Sequence, residues 1–149
     1  FLFKLVVGYP DQEAEMVLLK HKHALKGMKE ETDIRPELKK EEIAQYQDLV
    51  HSVHIEEKLL GYLSAIIRKT RKHPSLYLGA SPRAGVLLMH AAKAYAAISG
   101  RDFVSPEDIK TLTPHVLRHR ILLTPEKEME GMKPDDVIQQ LLTTVEVPK

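Results

Sequence analysis

The sequence contains no cysteine, so neither a disulfide framework nor thiolate chemistry is available to it. It also has no tryptophan, and aromatic residues make up only 5% of the chain, which leaves few side chains on which single-stranded bases could stack. Neither sign of charge is in excess, because 22 Lys and Arg face 21 Asp and Glu, for a net charge of +1. This balance gives no electrostatic case for binding nucleic acid or a membrane surface. No apolar run approaches the roughly 20 residues that a membrane-spanning helix needs.

Motifs of self-sufficient enzymes are missing as well. The glycine-containing stretch 79–85 is not a P-loop, because no Gly-Lys-Ser/Thr follows it, and no G-x-S-x-G nucleophile elbow occurs. The eight histidines include the pairs His51/His54 and His115/His119, but none belongs to an HExxH pattern or has a cysteine partner. We therefore predict no metal site and no catalytic residue in this chain alone. The composition is typical of a globular cytoplasmic protein.

Hydrophobic spacing predicts a mostly α-helical fold, a small helical bundle preceded by one β-strand. The stretch Phe1–Val7 is apolar at every position except Lys4, which is typical of a strand covered on both faces. No second strand of that kind follows, so we interpret it as the last strand of an α/β domain outside the printed sequence. A short edge strand or an N-terminal arm is the alternative. Helices are expected over 11–25, 39–53, 55–72, 82–99, 106–112 and 134–144.

These patterns divide the chain into four parts. Residues 1–10 are expected to be the strand, and 11–38 a connecting helix and loop. Residues 39–124 form the predicted helical domain, and 125–149 a C-terminal loop and helix.

Proline, glycine and polar residues predict where the helices end. We expect loops at 28–38, 73–80 and 124–133, with Gly27 and Gly100 ending the helices that precede them. A break is expected at Thr113-Pro114, because proline lacks an N–H and restricts the residue before it. The apolar residues 121–123 are expected to be extended.

One helix start carries a charge where helix electrostatics disfavour it. In Gly79-Ala80-Ser81-Pro82-Arg83-Ala84, Ser81 is expected as the N-cap and Pro82 as the first helical residue, so Arg83 falls in the first turn. A cation there is unfavourable by about 0.3–1 kcal/mol. A second Ser-Pro start, at 105–108, has acids in the matching positions. Arg83 beside unpaired N–H groups suits a phosphate or carboxylate, although a salt bridge to a neighbouring acid would also explain it.

Other basic residues give weaker signals. Arg118, His119 and Arg120 end a predicted helix, where the helix dipole favours bases, although they could also meet an acidic partner or a phosphate. Lys93 lies on an alanine-rich helix, and we interpret it as a lysine whose stem covers apolar surface, not as a ligand.

In this context the chain resembles the C-terminal part of the MoxR-type AAA+ ATPases. The similarity covers nearly the whole sequence and is carried by the segments Phe1–Lys4, Gly8–Pro10, Tyr62–Arg71, Leu78–Ala84, Ala91–Ala94, Gly100–Ile109 and Val116–Arg120. The resemblance implies that Gly-Ala-Ser-Pro-Arg-Ala is the sensor-2 motif of a helical lid. It further implies that Arg83 reaches the phosphates of a nucleotide bound by the core, with Ser81 and Pro82 shaping the helix start.

The resemblance also implies how a full-length protein of this kind works. Such a protein binds ATP and Mg²⁺, hydrolyses ATP and assembles with neighbouring subunits into a ring, often a hexamer. It acts in a chaperone-like manner to mature or activate partner complexes, together with von Willebrand factor A-type proteins. The family's P-loop, acidic Mg²⁺-binding segment and sensor-1 residue do not occur in this sequence. We therefore expect this chain neither to hydrolyse ATP nor to bind nucleotide tightly by itself.

A freestanding helical module for protein interaction or nucleic-acid binding is the alternative hypothesis. The alanine-rich helix followed by Gly100-Arg101-Asp102 and a short capped helix has a superficial likeness to histone-fold-type domains. The balanced charge argues against nucleic acid as the partner. DNA affinity above the non-specific range of about 10⁻⁴–10⁻⁶ M would favour this alternative.

The apolar segment 1–7 predicts association of the chain. A strand built for two covered faces needs partners for its backbone groups and side chains. We expect it to pair with 121–123, to pair with a copy of itself, or to fold over apolar surface of the bundle. Deleting residues 1–7 should reduce concentration-dependent association in sedimentation experiments, while helical content by circular dichroism stays near that of the parent. A monodisperse monomer with these residues disordered would contradict the prediction.

Overall fold

The computed structural model describes residues 1–26 and 37–148. Within them lie seven helices and two short strands, in the order α1 (Gln12–Ala24), α2 (Lys40–Ser52), α3 (Glu57–Thr70), β1 (Leu76–Leu78), α4 (Pro82–Ile98), α5 (Pro106–Leu117), β2 (Leu122–Leu123), α6 (Pro125–Met129) and α7 (Pro134–Thr144). The mostly helical fold expected from the sequence is confirmed. Among the described residues, no helix combines the length and the apolar character needed to cross a membrane.

The hydrophobic core lies where α4 packs between α3 and α5, with α7 closing it. The buried face of α3 is its periodic apolar stripe, formed by Leu59, Tyr62, Leu63, Ile66 and Ile67. The buried face of α4 combines Leu88 with five small residues, Ala84, Gly85, Ala91, Ala92 and Ala96. A β-carbon at Gly85 would lie 3.2 Å from the side chain of Leu63. The alanine-rich sequence of α4 therefore determines how tightly the bundle packs.

The bend between α2 and α3 is tied to the loop between α4 and α5. The backbone N–H of His54 donates to the carbonyl of Asp102 over 2.7 Å, and Val104 N–H donates to the carbonyl of His54 over 3.0 Å. Val53 beside this bridge is buried. The break between the helices expected over 39–53 and 55–72 is confirmed.

The start of α5 is held by a capping box and an ion pair. Ser105 Oγ accepts from Asp108 N over 3.3 Å, and Asp108 Oδ2 accepts from Ser105 N over 2.8 Å. Arg101 donates two further bonds to the same buried carboxylate, at 2.7 and 2.8 Å. Burial acts to raise the pKa of Asp108, but the bonds from Arg101 and Ser105 outweigh it and hold that pKa below its ordinary value. The stability from this carboxylate is therefore present above its ordinary pKa and is lost only as the pH falls through the lowered one.

A two-stranded antiparallel sheet corrects the loop expected at 73–80. β1 pairs with β2, with Leu76 opposite Leu123 and Leu78 opposite Leu122. The extended run expected near 121–123 is present, but its partner is β1 and not the N-terminal segment. A strand of three residues is too short for alternation to distinguish it from a loop.

Two helices also differ from the expectation. α5 runs without a break through Pro114, and Arg118 N–H donates to the Pro114 carbonyl over 3.0 Å. Because Pro114 has no N–H, the helix loses one backbone hydrogen bond. Burial of the apolar side chains of Val116 and Leu117 offsets the free energy of that lost bond. The loop expected at 124–133 contains α6, which starts with proline at its first position.

The N-terminal residues form no strand. Lys4 N–H donates to the carbonyl of His115 over 3.0 Å, and the carbonyls of Phe1, Leu2 and Lys4 accept from Arg120 and Arg118. Residues 1–4 are thus tied through their backbone atoms to the C-terminal end of α5, although all of residues 1–10 are exposed. A strand needs a neighbouring strand for its ladder, whereas residues 1–4 bond to the His115 carbonyl and to two arginine side chains. The origin of this segment in a separate core domain stays a prediction.

Helix α1 lies within one residue of its expected boundaries at each end. Asp11 caps it by accepting from Ala14 N over 2.8 Å, and none of its residues is buried. The predicted stop at Gly27 and nearly all of the predicted loop 28–38 lie outside the described residues.

The two Ser-Pro helix starts predict different effects of the same substitution. Ser105→Ala removes a side-chain cap and should lower the free energy of unfolding by about 1 kcal/mol. Ser81→Ala is the matched control, because the Ser81 side chain makes no capping bond in the described structure, and it should change stability by less than about 0.5 kcal/mol. Urea denaturation of both variants measures the difference, and equal losses would contradict it.

Candidate anion site

The loop before α4 is fastened to the end of α3 by side chains of α3 and of its C-cap. The hydroxyl of Thr70 accepts from Ala80 N over 2.8 Å and donates to the Ile67 carbonyl over 2.6 Å. Arg71 Nε donates to the Ala80 carbonyl over 2.8 Å. Both Thr70 and Ala80 are fully buried. The start of α4 is therefore held in a fixed place relative to α3.

Gly79 is required by the closeness of this contact. A β-carbon at position 79 would lie 2.6 Å from the backbone N and Cα of Arg71 and 2.7 Å from the carbonyl carbon of Thr70. Backbone atoms cannot move aside as a flexible side chain can, so only glycine fits without displacing the loop.

Helix α4 starts at the residue predicted from the sequence, but its N-cap lacks the side-chain hydrogen bond expected of a serine. Ser81 occupies the N-cap position with an extended backbone, and its carbonyl accepts from Ala84 N over 3.0 Å. Its hydroxyl makes no capping bond, so Ser81 is the N-cap by backbone geometry and not by its side chain. Pro82 is the first helical residue, as expected.

Arg83 follows in the first turn of α4 with an exposed side chain. No acidic residue lies in that turn. Within residues 1–26 and 37–148, no hydrogen bond or ion pair joins the Arg83 side chain to another residue. A salt bridge to a neighbouring acid therefore does not explain this arginine in the described part of the chain.

Arg83 faces an open cleft of about 700 Å³. The lining consists of Phe1, Leu2, Leu78, Gly79, Ser81, Arg83, Leu87 and Arg120, with two guanidinium groups and no carboxylate. Burial lowers the pKa of Arg120, and the positive charge of Arg83 lowers it further. A guanidinium group is a cation that binds planar anions, so the cleft suits an anion.

The three basic residues after α5 have separate environments. Arg118 forms an ion pair with Asp135 of α7 over 3.0 Å. Burial first, and then the charge of Arg120, lower the pKa of His119 and favour its neutral form. Only Arg120 lines the Arg83 cleft. Sequence reasoning missed this convergence, because no spacing rule connects the start of one helix with the residues that follow the next.

The remaining sequence candidates lie elsewhere. Lys93 Nζ donates to the carbonyl of His51 over 3.0 Å and ties α4 to α2, so it contributes to packing and lies outside the cleft. The rings of His51 and His90 meet edge to face with centroids 6.0 Å apart. In the part of the chain that the structure describes, no three His, Asp or Glu side chains come together as metal ligands.

A family model called AAA lid domain matches residues 68–141, which include the whole α4 start and Arg120. Over 151 residues the chain is 39% identical to the Bacillus subtilis protein YeaC, covering 99% of this chain and 45% of that protein. It is 30% identical over 158 residues to chaperone MoxR1 of Mycobacterium tuberculosis, covering 100% of this chain and 41% of that protein.

A solved structure of a candidate ATPase from Cytophaga hutchinsonii has the same fold. It superposes with a TM-score of 0.87 at 29% identity, covering 100% of this chain and 47% of that one. The chain thus spans less than half the length of these relatives.

The bonds of Thr70 and Arg71 to Ala80, called the clamp below, predict that two buried threonines differ in their contribution to stability. Thr70→Val leaves the buried N–H of Ala80 without an acceptor and should lower the free energy of unfolding by about 1–3 kcal/mol. Thr113→Val is the matched control: its equally buried hydroxyl only donates, over 2.6 Å, to the Ile109 carbonyl, which the helix backbone already satisfies. The control should lose less than about 0.5 kcal/mol in thermal or urea unfolding. A Thr70→Val variant as stable as the control would refute the clamp.

Proposed function

We propose that Arg83 of this chain, which contains the lid region of a MoxR-type AAA+ ATPase, binds the phosphates of ATP held by the core of the whole protein. The observation that carries the proposal is the guanidinium of Arg83 in the first turn of α4, which has no partner among the described residues and faces an open cleft. In this role Arg83 is the sensor-2 arginine. Ser81 and Pro82 fix the direction of the helix from which it projects.

The composition of the cleft supports phosphate as the ligand. Two guanidinium groups and a helix N-terminus supply planar donors and positive potential, which is the chemistry that phosphate oxygens require. The lining offers no carboxylate for Mg²⁺, so the metal would be held by the core and by the nucleotide itself. When bound, Mg²⁺ neutralises charge on the phosphates. The lid's own part is to bind and orient the phosphate chain.

Phosphate binding by the lid would couple nucleotide state to lid position. A desolvated charge-assisted contact contributes about 1.5–3 kcal/mol, which biases a two-state hinge appreciably. Because Thr70 and Arg71 hold the loop before α4 against α3, a displacement of Arg83 toward the phosphates would move α3 and the rest of the bundle with it. Hydrolysis and release of phosphate would remove this bias.

The role proposed for the whole protein is inferred from the proteins to which this chain is similar. The whole protein is proposed to be a cytoplasmic bacterial ATPase that uses ATP and Mg²⁺ in a ring of subunits, often a hexamer. It would act in a chaperone-like manner on partner complexes, together with von Willebrand factor A-type proteins. The name of the mycobacterial relative, a chaperone, supports the chaperone-like part of this proposal. The balanced charge of the chain gives no reason to add nucleic acid or a membrane to these partners.

Substitution of Arg83 in the whole protein tests the proposal. Arg83→Ala should lower the rate of ATP hydrolysis by about 10–100-fold, the equivalent of one lost charge-assisted contact. Its melting temperature should stay near that of the wild type, because the side chain is exposed and unpaired. Arg83→Lys should restore only part of the rate, since a point charge does not replace a planar fork.

Arg68→Ala is the matched control, because Arg68 is an exposed arginine near the end of α3 that does not line the cleft. It should leave hydrolysis unchanged. Wild-type turnover together with unchanged ADP affinity in Arg83→Ala would overturn the assignment.

A further inference from the structure

We propose that Arg120 is the second phosphate-binding residue of the Arg83 cleft, so that the cleft takes a polyphosphate chain and not a single phosphate. The inference rests on the proposed function and names the part of the nucleotide that the lid recognises. Arg83 comes from the start of α4, and Arg120 from the segment between α5 and β2. The two guanidinium groups line one open cleft of about 700 Å³, which has room for more than one phosphate group.

The present partners of Arg120 are neutral. Its guanidinium donates to the carbonyls of Phe1, Leu2 and Val116, and no carboxylate of the described chain pairs with it. Its neighbour Arg118, by contrast, already has Asp135 as its counter-ion. Hydrogen bonds to an anion are about twice as strong as those to a neutral carbonyl. A phosphate chain in the cleft therefore offers Arg120 a better acceptor than the carbonyls it now contacts.

If a bound anion replaces the Phe1 and Leu2 carbonyls as the acceptor of Arg120, the N-terminal segment loses part of its attachment to the bundle. Phe1 and Leu2 line the same cleft, and their carbonyls are acceptors of Arg120. If Arg120 turns to a bound anion, these two contacts are lost, while those of Lys4 with His115 and Arg118 remain. Binding in the cleft and docking of residues 1–2 are then linked through one side chain, and the linkage is reciprocal.

Titration of this chain with sodium tripolyphosphate and with inorganic phosphate tests the inference. At low salt, calorimetry should show tighter binding of tripolyphosphate, and Arg120→Ala should weaken it by about tenfold or more. Arg120→Gln keeps donors for the carbonyls but loses the charge, and should weaken binding comparably while preserving the melting temperature. In NMR spectra, the Arg120 Nε–Hε signal and the amides of residues 2 and 3 should shift on addition of tripolyphosphate.

Arg118→Ala is the matched control, because it removes one charge from the same end of α5 outside the cleft. Binding within twofold of wild type is expected. Equal weakening by Arg118→Ala and Arg120→Ala would show a diffuse basic surface and overturn the inference, as would equal affinity of the wild type for phosphate and tripolyphosphate.

The variants also separate this inference from the proposed function. Loss of binding in Arg83→Ala with wild-type binding in Arg120→Ala would overturn the role of Arg120 and leave the function of Arg83 standing. Wild-type binding in both variants would overturn both.

Discussion

The buried hydroxyl of Thr70 is the contact on which the position of the cleft depends. It accepts from one backbone group of the loop and donates to another of its own helix, so both of its roles are used within the protein. A hydroxyl used in this way is costly to replace, because a buried N–H without an acceptor loses its solvation with nothing in return. The bond of Arg71 to the same residue, Ala80, and the missing side chain of Gly79 make this approach of loop to helix possible. Together they fix where α4 begins.

Among the residues that the structure describes, no acidic side chain pairs with the two arginines of the cleft. Two other arginines, by contrast, have acidic partners: Arg101 pairs with Asp108, and Arg118 with Asp135. Arg83 and Arg120 instead meet a helix N-terminus and each other. Such an arrangement costs free energy in the absence of a ligand, and a bound anion returns it. Function and local stability are therefore opposed at this one place, as is common at binding sites.

Of the seven helices in the described residues, the sequence was sufficient for all but α5 and α6, and it identified one of the two arginines of the candidate site. Long amphipathic patterns such as that of α3 bury enough apolar surface to decide the local structure, and the boundaries of α1, α4 and α7 follow from caps, prolines and glycines. Arg83 stands out because a cation in the first turn of a helix is unfavourable, and this rule can be applied from the local sequence alone.

The features that the sequence did not predict depend on distant contacts. β1 exists because β2 pairs with it, and α5 continues through Pro114 because the turn beyond that proline is packed in the core. Arg120 joins the cleft only through packing of the bundle. Residues 1–4 form no strand, and their backbone groups bond instead to His115, Arg118 and Arg120. Each of these outcomes is decided by tertiary structure overriding a local preference.

The attachment of residues 1–4 to the end of α5 has one property that matters for divergence among homologous chains. On the N-terminal side every hydrogen-bonding atom belongs to the main chain: the N–H of Lys4 and the carbonyls of Phe1, Leu2 and Lys4. Main-chain atoms are the same in almost every residue, so these hydrogen bonds do not depend on which side chains residues 1–4 carry. Mutations can accumulate in the segment without breaking the joint, whereas the two arginines that hold it have no such freedom.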